Sequence, residues 1–230
     1  MKDYNKISEL RIKLLVETLR NTNNGICNDW DTKKRENFIF KEIMKLDFIL
    51  DGNFIKKNKK VIKKIKEYYL LVDIIPLPIE IIEEYFPKIE EGEIYLIYEP
   101  FGSKASPDFL LITKNGVIGI EDKSSNNGKI TFNTGTPGGN KIIVYYDRSE
   151  KKIYLITGER WFWHDETEKK YREFCKEIND IAKIKWEEKF GDTLPYNDFY
   201  SRPMLIDKKK IKDIADPDGT DVINKLKKYI

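Results

Sequence analysis

Five short runs rich in β-branched and aromatic residues lie close together in the middle of the chain, and they constrain the fold more than any other feature. Turn-forming residues separate them, among them Asn115-Gly116 and Pro137-Gly138-Gly139. Runs of this length and composition between turn signals predict the strands of one central β-sheet. The five runs cover residues 93–98, 108–113, 117–122, 141–146 and 152–157.

Helical periodicity flanks the predicted sheet on both sides. We therefore predict a single α/β domain over 1–230, in which a central mixed β-sheet over about 93–157 is flanked by helices. The helical parts cover about 1–90 before the sheet and about 165–230 after it. The helices are expected over 6–20, from about Asp31, over 53–72, around 79–85, over 165–190 and near 220–229.

Composition and charge exclude several classes of protein. Apolar residues make up 40% of the 230, enough for one substantial core, and no stretch is long and apolar enough to span a membrane. The N-terminus has no apolar signal core, so we expect a cytoplasmic protein. Cys27 and Cys175 are too few for a disulfide framework or a zinc site, and we expect reduced thiols. The net charge of +3 does not favour binding of nucleic acid by total charge alone, so a local basic surface would be needed.

The stretch SPDFLLITKNGVIGIEDKSSNN, residues 106–127, predicts a β-hairpin with charged ends. Two strands, 108–113 and 117–123, are joined by a turn at 114–116, because Asn115 and Gly116 both tolerate positive φ. A hairpin folded at this point roughly pairs position 108 with position 123.

Three charged residues of this hairpin are expected to converge. Side chains alternate along a strand, so Glu121 and Lys123 share one face, while Asp122 points to the other. The predicted pairing brings Asp108 to the same end of the sheet, although the two acids Asp108 and Glu121 are far apart in sequence.

Two carboxylates at close range repel each other unless a cation lies between them. Oxygen ligands with open water positions suit Mg²⁺, which acidifies bound water and stabilises charge on a phosphate. A neighbouring lysine can orient or deprotonate the attacking water and offset phosphate charge. The three residues therefore predict metal-dependent phosphodiester hydrolysis. The alternative is a stabilising cross-strand pair of an acid and a lysine.

Pro107-Asp108, followed by Glu121-Asp122-Lys123 on the next strand, resembles the PD-(D/E)xK nuclease motif. The flanking residues, 102–106 and 124–126, resemble those of type II restriction endonucleases, and the resemblance covers about 100–150. It implies a restriction-endonuclease-like fold with Mg²⁺ as cofactor. It also implies Asp108 and Glu121 as metal ligands, Asp122 as a ligand through its backbone carbonyl only, and Lys123 as the catalytic lysine.

The resemblance implies a type II restriction endonuclease that cuts double-stranded DNA and leaves 5′-phosphate and 3′-hydroxyl ends. Cutting both strands of a short palindrome calls for two active sites related by a two-fold axis, so we expect a homodimer. A cognate DNA methyltransferase is the expected genetic partner. Two alternatives remain open: a junction, repair or modification-dependent nuclease of the same fold, and a non-catalytic protein that binds DNA or another partner.

The segment SSNNGKITFNTGTPGGNK, residues 124–141, follows the catalytic lysine and is rich in glycine and short polar side chains. Asn, Ser and Thr side chains bond base edges, and glycine lets the backbone approach closely. We predict that this segment reads DNA, with a polar surface loop as the alternative. The candidate contacts are Ser124, Asn126, Asn127, Lys129, Asn133, Thr134, Thr136 and Asn140.

Three features outside the hairpin are weaker signals. The lysine-rich run 56–66 would suit a phosphate backbone, but the solvated face of an amphipathic helix is the favoured interpretation. Glu36 or Glu42, on the second predicted helix, is a candidate for a further carboxylate at the metal site. We interpret Trp161, Phe162 and Trp163 as a hydrophobic anchor or dimer contact, and His164 as a surface residue.

Overall fold

The computed structural model describes most of the chain, with several gaps, and shows a mixed α/β architecture. The described residues are 4–27, 29–46, 60, 63–64, 94–101, 107–113, 115–126, 130–131, 141–158, 160, 165–193, 204–205 and 208–228. Their helices are α1 (Tyr4–Asn21), α2 (Thr32–Met44), α3 (Asp165–Phe190), α4 (Lys208–Ile214) and α5 (Thr220–Lys227), with 3₁₀ turns at Thr22–Gly25 and Gly191–Thr193. Their strands are β1 (Tyr95–Tyr98), β2 (Phe109–Thr113), β3 (Gly116–Ser125), β4 (Ile130–Thr131), β5 (Lys141–Asp147), β6 (Lys152–Thr157) and β7 (Met204–Leu205).

The central sheet has five strands in the order β1-β2-β3-β5-β6. β1, β2 and β3 form an antiparallel meander, β3 and β5 run parallel, and β5 pairs with β6 antiparallel. The five predicted runs are the five strands of this sheet, and the expectation of a mixed sheet flanked by helices is confirmed. Parallel strands need a long crossover, and the chain between Ser125 and Lys141 provides it.

One strand of a small second sheet, β4, lies within this crossover. β4 pairs antiparallel with β7, Ile130 opposite Leu205. The sequence pattern did not predict this sheet, because strands of two residues carry no periodicity. The pattern also missed α4, because no helix was expected between 190 and 220.

Side chains bury both faces of the central sheet. On one face, residues of α1, α2 and α5 pack on Phe109, Ile120 and Val144. On the other face, Ile211 and Ile214 of α4 join a cluster that contains Ile143, Tyr145 and Ile156. Because both faces are covered, β2 and β5 are buried at every position instead of alternating.

Helix α2 begins where the sequence predicted. Asp31 is its N-cap, and Asp31 Oδ1 accepts a hydrogen bond of 2.8 Å from the backbone N–H of Lys34. Such a cap satisfies one of the donors left free at a helix start. Ile39 and Ile43 then point into the core. The capped first turns of α2 reach the end of the sheet at which the predicted site lies.

Some sequence predictions concern regions with partial or no description. The expected helix at 79–85 lies outside the described residues, and of the helix expected over 53–72 only Lys60, Lys63 and Lys64 are described, helical and exposed. Cys27 and Cys175 are not joined in a disulfide. No helix in the described part of the chain has the length and apolarity needed to cross a membrane.

Replacing Ile43 by Ala tests the packing of α2 on the sheet. Ile43 is fully buried, so its truncation leaves a cavity, and we expect the free energy of unfolding to fall by about 2–5 kcal/mol. Urea denaturation measures the change. Asn37→Ala, on the exposed side of the same helix, is the control and should stay within about 0.5 kcal/mol of wild type. Equal effects of the two substitutions would contradict the packing.

Candidate active site

The β2–β3 hairpin places Asp108 directly opposite Glu121. Phe109 pairs with Ile120, and one step further along the ladder brings the two carboxylates together. The predicted pairing of position 108 with position 123 is therefore wrong by two residues. Residues that face each other across an antiparallel pair have their side chains on the same side of the sheet.

The register follows from the turn. Thr113 pairs with Gly116, so the loop holds the two residues between them and not Asn115-Gly116 as predicted. Thr113 closes this loop: its Oγ1 accepts a hydrogen bond of 3.1 Å from the Asn115 amide and donates one of 3.3 Å to the Gly116 carbonyl.

Asp108, Glu121 and Lys123 converge at one end of the sheet, as the sequence predicted. Lys123 Nζ forms an ion pair with Glu121 Oε1, and the backbone amide of Asp122 donates a hydrogen bond of 2.6 Å to Asp108 Oδ2. Glu121 is buried, while Asp108 and Lys123 are half-buried. The three charged side chains therefore share one partly enclosed position with limited access to water.

The close approach of these groups shifts their pKa values. Burial, reinforced by the negative charge of Glu121, raises the pKa of Asp108 from its ordinary 3.8 to about 8. Burial works against the charged form of Lys123, but the negative charges of Glu121 and Asp108 outweigh it, so the pKa of Lys123 lies above its ordinary value. The lysine is therefore protonated at neutral pH.

A third acid, Glu36, reaches the same region from helix α2. Glu36 is buried, and Tyr98 Oη donates a hydrogen bond of 3.2 Å to Glu36 Oε2. Burial raises the pKa of Glu36, and the charge of Asp122 adds to the rise. Glu36 also contributes to the raised pKa of Asp108. The other candidate on this helix, Glu42, forms an ion pair of 2.6 Å with Lys45 in the last turn.

Asp122 points to the opposite face of β3, as strand alternation predicted, and there it meets Arg35. Arg35 Nε donates a hydrogen bond of 2.7 Å to Asp122 Oδ2, and Arg35 Nη2 lies 2.6 Å from the same oxygen. The two side chains are 2% and 0% exposed, so this is a fully buried ion pair. Burial raises the pKa of Asp122, against the opposing charge of Arg35. The sequence carried no signal of this contact, because 87 positions separate the two residues.

The backbone of Asp122 faces the edge on which Asp108 lies. In an antiparallel ladder the N–H and C=O of one residue point to the same side, and the Asp122 N–H points to Asp108. Its carbonyl oxygen therefore lies along the same edge, beyond the end of β2. Asp108, Glu121 and this carbonyl together offer only oxygen donors.

This donor set fits Mg²⁺. The ion binds proteins through one or two carboxylates and keeps several waters, so it does not need a dense cluster of acids. In the part of the chain that the structure describes, no group of three or more His, Cys, Asp or Glu residues is arranged to hold a metal. The negative charge of Glu121 adds to the effect of burial on the pKa of Asp108, and a cation between the two carboxylates would relieve this repulsion.

The segment predicted to read DNA begins beside this site. Ser124 is half-buried at the end of β3, and Asn126 is exposed directly after it. Ile130 is buried in the cluster that contains Ile143 and Tyr145, which are the pairing partners of Glu121 and Lys123. The segment is thus anchored on the face of the sheet that carries the site. Outside the described residues lie Asn127, Lys129, Asn133, Thr134, Thr136, Asn140, Trp161, Phe162, Trp163 and His164.

Comparison with known proteins gave no match. The chain matches no protein-family model, no curated protein and no solved structure. Its geometry therefore carries the argument about function.

The pH dependence of stability tests the environment of Asp108. Its pKa is 3.8 when unperturbed and about 8 in the folded protein, so between these values the folded state holds a proton that the unfolded chain releases. The free energy of unfolding therefore falls as the pH rises through this window. Asp108→Asn removes the titrating group. We expect the variant to match wild type near pH 4 and to be the more stable protein at pH 9.

Urea denaturation from pH 4 to pH 9, with a chelator present, measures this difference. Asn126→Ala, an exposed neighbour without a titrating side chain, is the control and should keep the wild-type pH dependence. The same fall in stability in Asp108→Asn and wild type would show that Asp108 is not the group responsible.

Proposed function

We propose that this protein is a type II restriction endonuclease of the PD-(D/E)xK superfamily, which uses Mg²⁺ to hydrolyse phosphodiester bonds in double-stranded DNA. The observation that carries the proposal is the convergence of Asp108, Glu121 and Lys123 at one end of a mixed sheet. The residue types, their order in the chain and their placement on adjacent antiparallel strands agree with the motif that the sequence resembles.

The metal-binding residues of the proposed site are Asp108 and Glu121 through their carboxylates and Asp122 through its backbone carbonyl. Mg²⁺ bound there would acidify a water molecule and stabilise the charge that builds on the phosphate during in-line attack. The hydrogen bond from the Asp122 amide to Asp108 holds the Asp108 carboxylate in place. A carboxylate held this way needs little reorganisation to bind a cation.

Lys123 contributes as a cation. Its raised pKa keeps it protonated, so it donates hydrogen bonds and offsets negative charge on the reacting phosphate. A general-base role would require bound Mg²⁺ to offset the charges of Glu121 and Asp108 and so lower the pKa of Lys123. Glu36 is close enough to Asp108 to raise the pKa of that residue, and it is the candidate for a further acid at the same site.

The proposal extends to the substrate and the assembly. The polar segment after Lys123 would contact bases while the carboxylates face a phosphate, since Ile130 anchors it on the same face of the sheet. A homodimer would present two such sites to a short palindrome. The enzyme would act in the cytoplasm, and a cognate methyltransferase would be its genetic partner. Attack by water in line with the 3′ oxygen would leave 5′-phosphate and 3′-hydroxyl ends.

Digestion of an unmethylated, sequenced plasmid with Mg²⁺ tests the activity. We expect discrete fragments, and run-off sequencing of their ends should locate one recurring sequence and the position of the cut. A phosphatase-dependent ligation assay reports whether the 5′ ends carry phosphate. Cutting confined to branched, damaged or methylated DNA would favour the alternative nuclease, and no cleavage under any metal condition would overturn the proposal.

Alanine at each of Asp108, Glu121 and Lys123 is expected to lower the single-turnover cleavage rate by at least about 100-fold. DNA binding, measured by gel shift in Ca²⁺, should change far less, because phosphate and base contacts elsewhere supply most of the affinity. The matched controls are Glu150→Ala, in the turn before β6, and Lys152→Ala, at the first residue of β6. Both positions are exposed, and both variants should cut like wild type. If Glu121→Ala retained site-specific cutting, the assignment of Asp108, Glu121 and Lys123 as the active site would be wrong.

A further inference from the structure

We propose that Arg35 is a positioning residue for the metal site, acting through Asp122; this inference rests on the proposed function. The contact of Arg35 at this end of the sheet is with the side chain of Asp122. It binds the carboxylate of Asp122, whose backbone amide holds Asp108. The chain of contacts therefore runs from Arg35 on α2, through Asp122 on β3, to a candidate metal ligand.

Three contacts tie the first turns of α2 to the end of the sheet. Lys33 Nζ forms an ion pair with Glu99 Oε1, directly after β1. Arg35 binds Asp122 on β3, and Tyr98 of β1 binds Glu36. Arg35 and Glu36 are adjacent on the helix. The ion pair between Arg35 and Asp122 therefore also fixes the position of Glu36 relative to the end of the sheet. One interaction thereby places both the extra acid and the Asp122 backbone.

A stabilising role alone does not explain this buried ion pair. Removing two charges from water costs several kcal/mol per ion before attraction repays it, and well-packed hydrophobic residues often replace such pairs without loss. The pairing here is also incomplete: Arg35 Nη1 and Asp122 Oδ1 are buried and have no hydrogen-bond partner among the described residues. Because this ion pair leaves two of its own polar atoms without hydrogen bonds within the described part of the chain, we attribute it to positioning of the Asp122 backbone and not to stability.

The contact between Arg35 and Asp122 also fixes the face of β3 on which the Asp122 carboxylate lies. The Asp122 carboxylate is 0% exposed and bonded to Arg35 on the face that carries Ile120 and Val144. It is therefore held away from the face of Glu121 and Lys123. The contribution of Asp122 to a metal is limited to its backbone, and Arg35 keeps that backbone in register.

The test replaces the ion pair with apolar residues of similar size, Arg35→Met with Asp122→Leu. We expect this double variant to unfold at a urea concentration near that of wild type. We also expect it to bind Mg²⁺ about 10–100-fold more weakly and to cleave DNA more slowly. Isothermal titration calorimetry with Mg²⁺ alone measures binding without any need for activity. Arg35→Lys keeps the charge but loses the planar fork, so it should recover part of the affinity.

Asp216→Asn is the matched control. Asp216 is a buried aspartate that accepts hydrogen bonds of 3.0 Å and 2.8 Å from the amides of Gly219 and Val222. It supports the start of α5, on the far side of the sheet from the site. Its substitution should lower the stability while leaving the affinity for Mg²⁺ at the wild-type value.

The outcomes separate the two proposals. If wild type binds Mg²⁺ and the folded double variant binds it equally well, the positioning role is wrong and the nuclease assignment stands. If the double variant does not fold, Arg35→Lys decides: unchanged affinity overturns the positioning role, and reduced affinity with unchanged stability supports it. If wild type binds no Mg²⁺ and cuts no DNA, both proposals fall.

Discussion

The register of the β2–β3 hairpin decides where each charged group of the site lies. Thr113 pairs with Gly116 and Phe109 with Ile120, so the next step beyond the ladder puts Asp108 opposite Glu121. Both faces of these strands are covered by apolar clusters, so hydrophobicity alone specifies the register weakly. A slip of one residue would turn every side chain of β3 to the other face. It would also separate Arg35 from its carboxylate and leave a buried charge unpaired, which is far more costly than a packing error.

Negative charge is concentrated at this end of the sheet beyond what its cations balance. Burial and mutual repulsion raise the pKa of three of the acids. Either a proton or a cation relieves such repulsion, but only a cation leaves the carboxylates free to act as ligands. The repulsion between these carboxylates destabilises the folded state, and a divalent ion would relieve it. The cluster contains the acids Glu36, Asp108, Glu121 and Asp122 and the cations Arg35 and Lys123.

Long elements with a clear period were predictable from the sequence, and short ones were not. The periodicity over 165–190 matches α3 at both ends, and the five apolar runs match the five strands of the sheet. Helix α4 spans seven residues, KKKIKDI, and a helix this short is marginal in isolation. It forms where Ile211 and Ile214 can pack on the sheet, which is information that no local window contains.

The sequence by itself determined that Glu121 and Lys123 share one face of a strand while Asp122 takes the other, because alternation depends only on local backbone geometry. Tertiary structure alone decided which residue stands opposite Asp108, because Thr113 closes the turn earlier than Asn115-Gly116 suggested. It also decided that Arg35 pairs with Asp122, that Glu36 lies near enough to Asp108 to raise its pKa, and that Glu42 pairs with Lys45. Contacts between residues so far apart in the chain depend on how a helix packs on a sheet, and no periodicity or spacing records that.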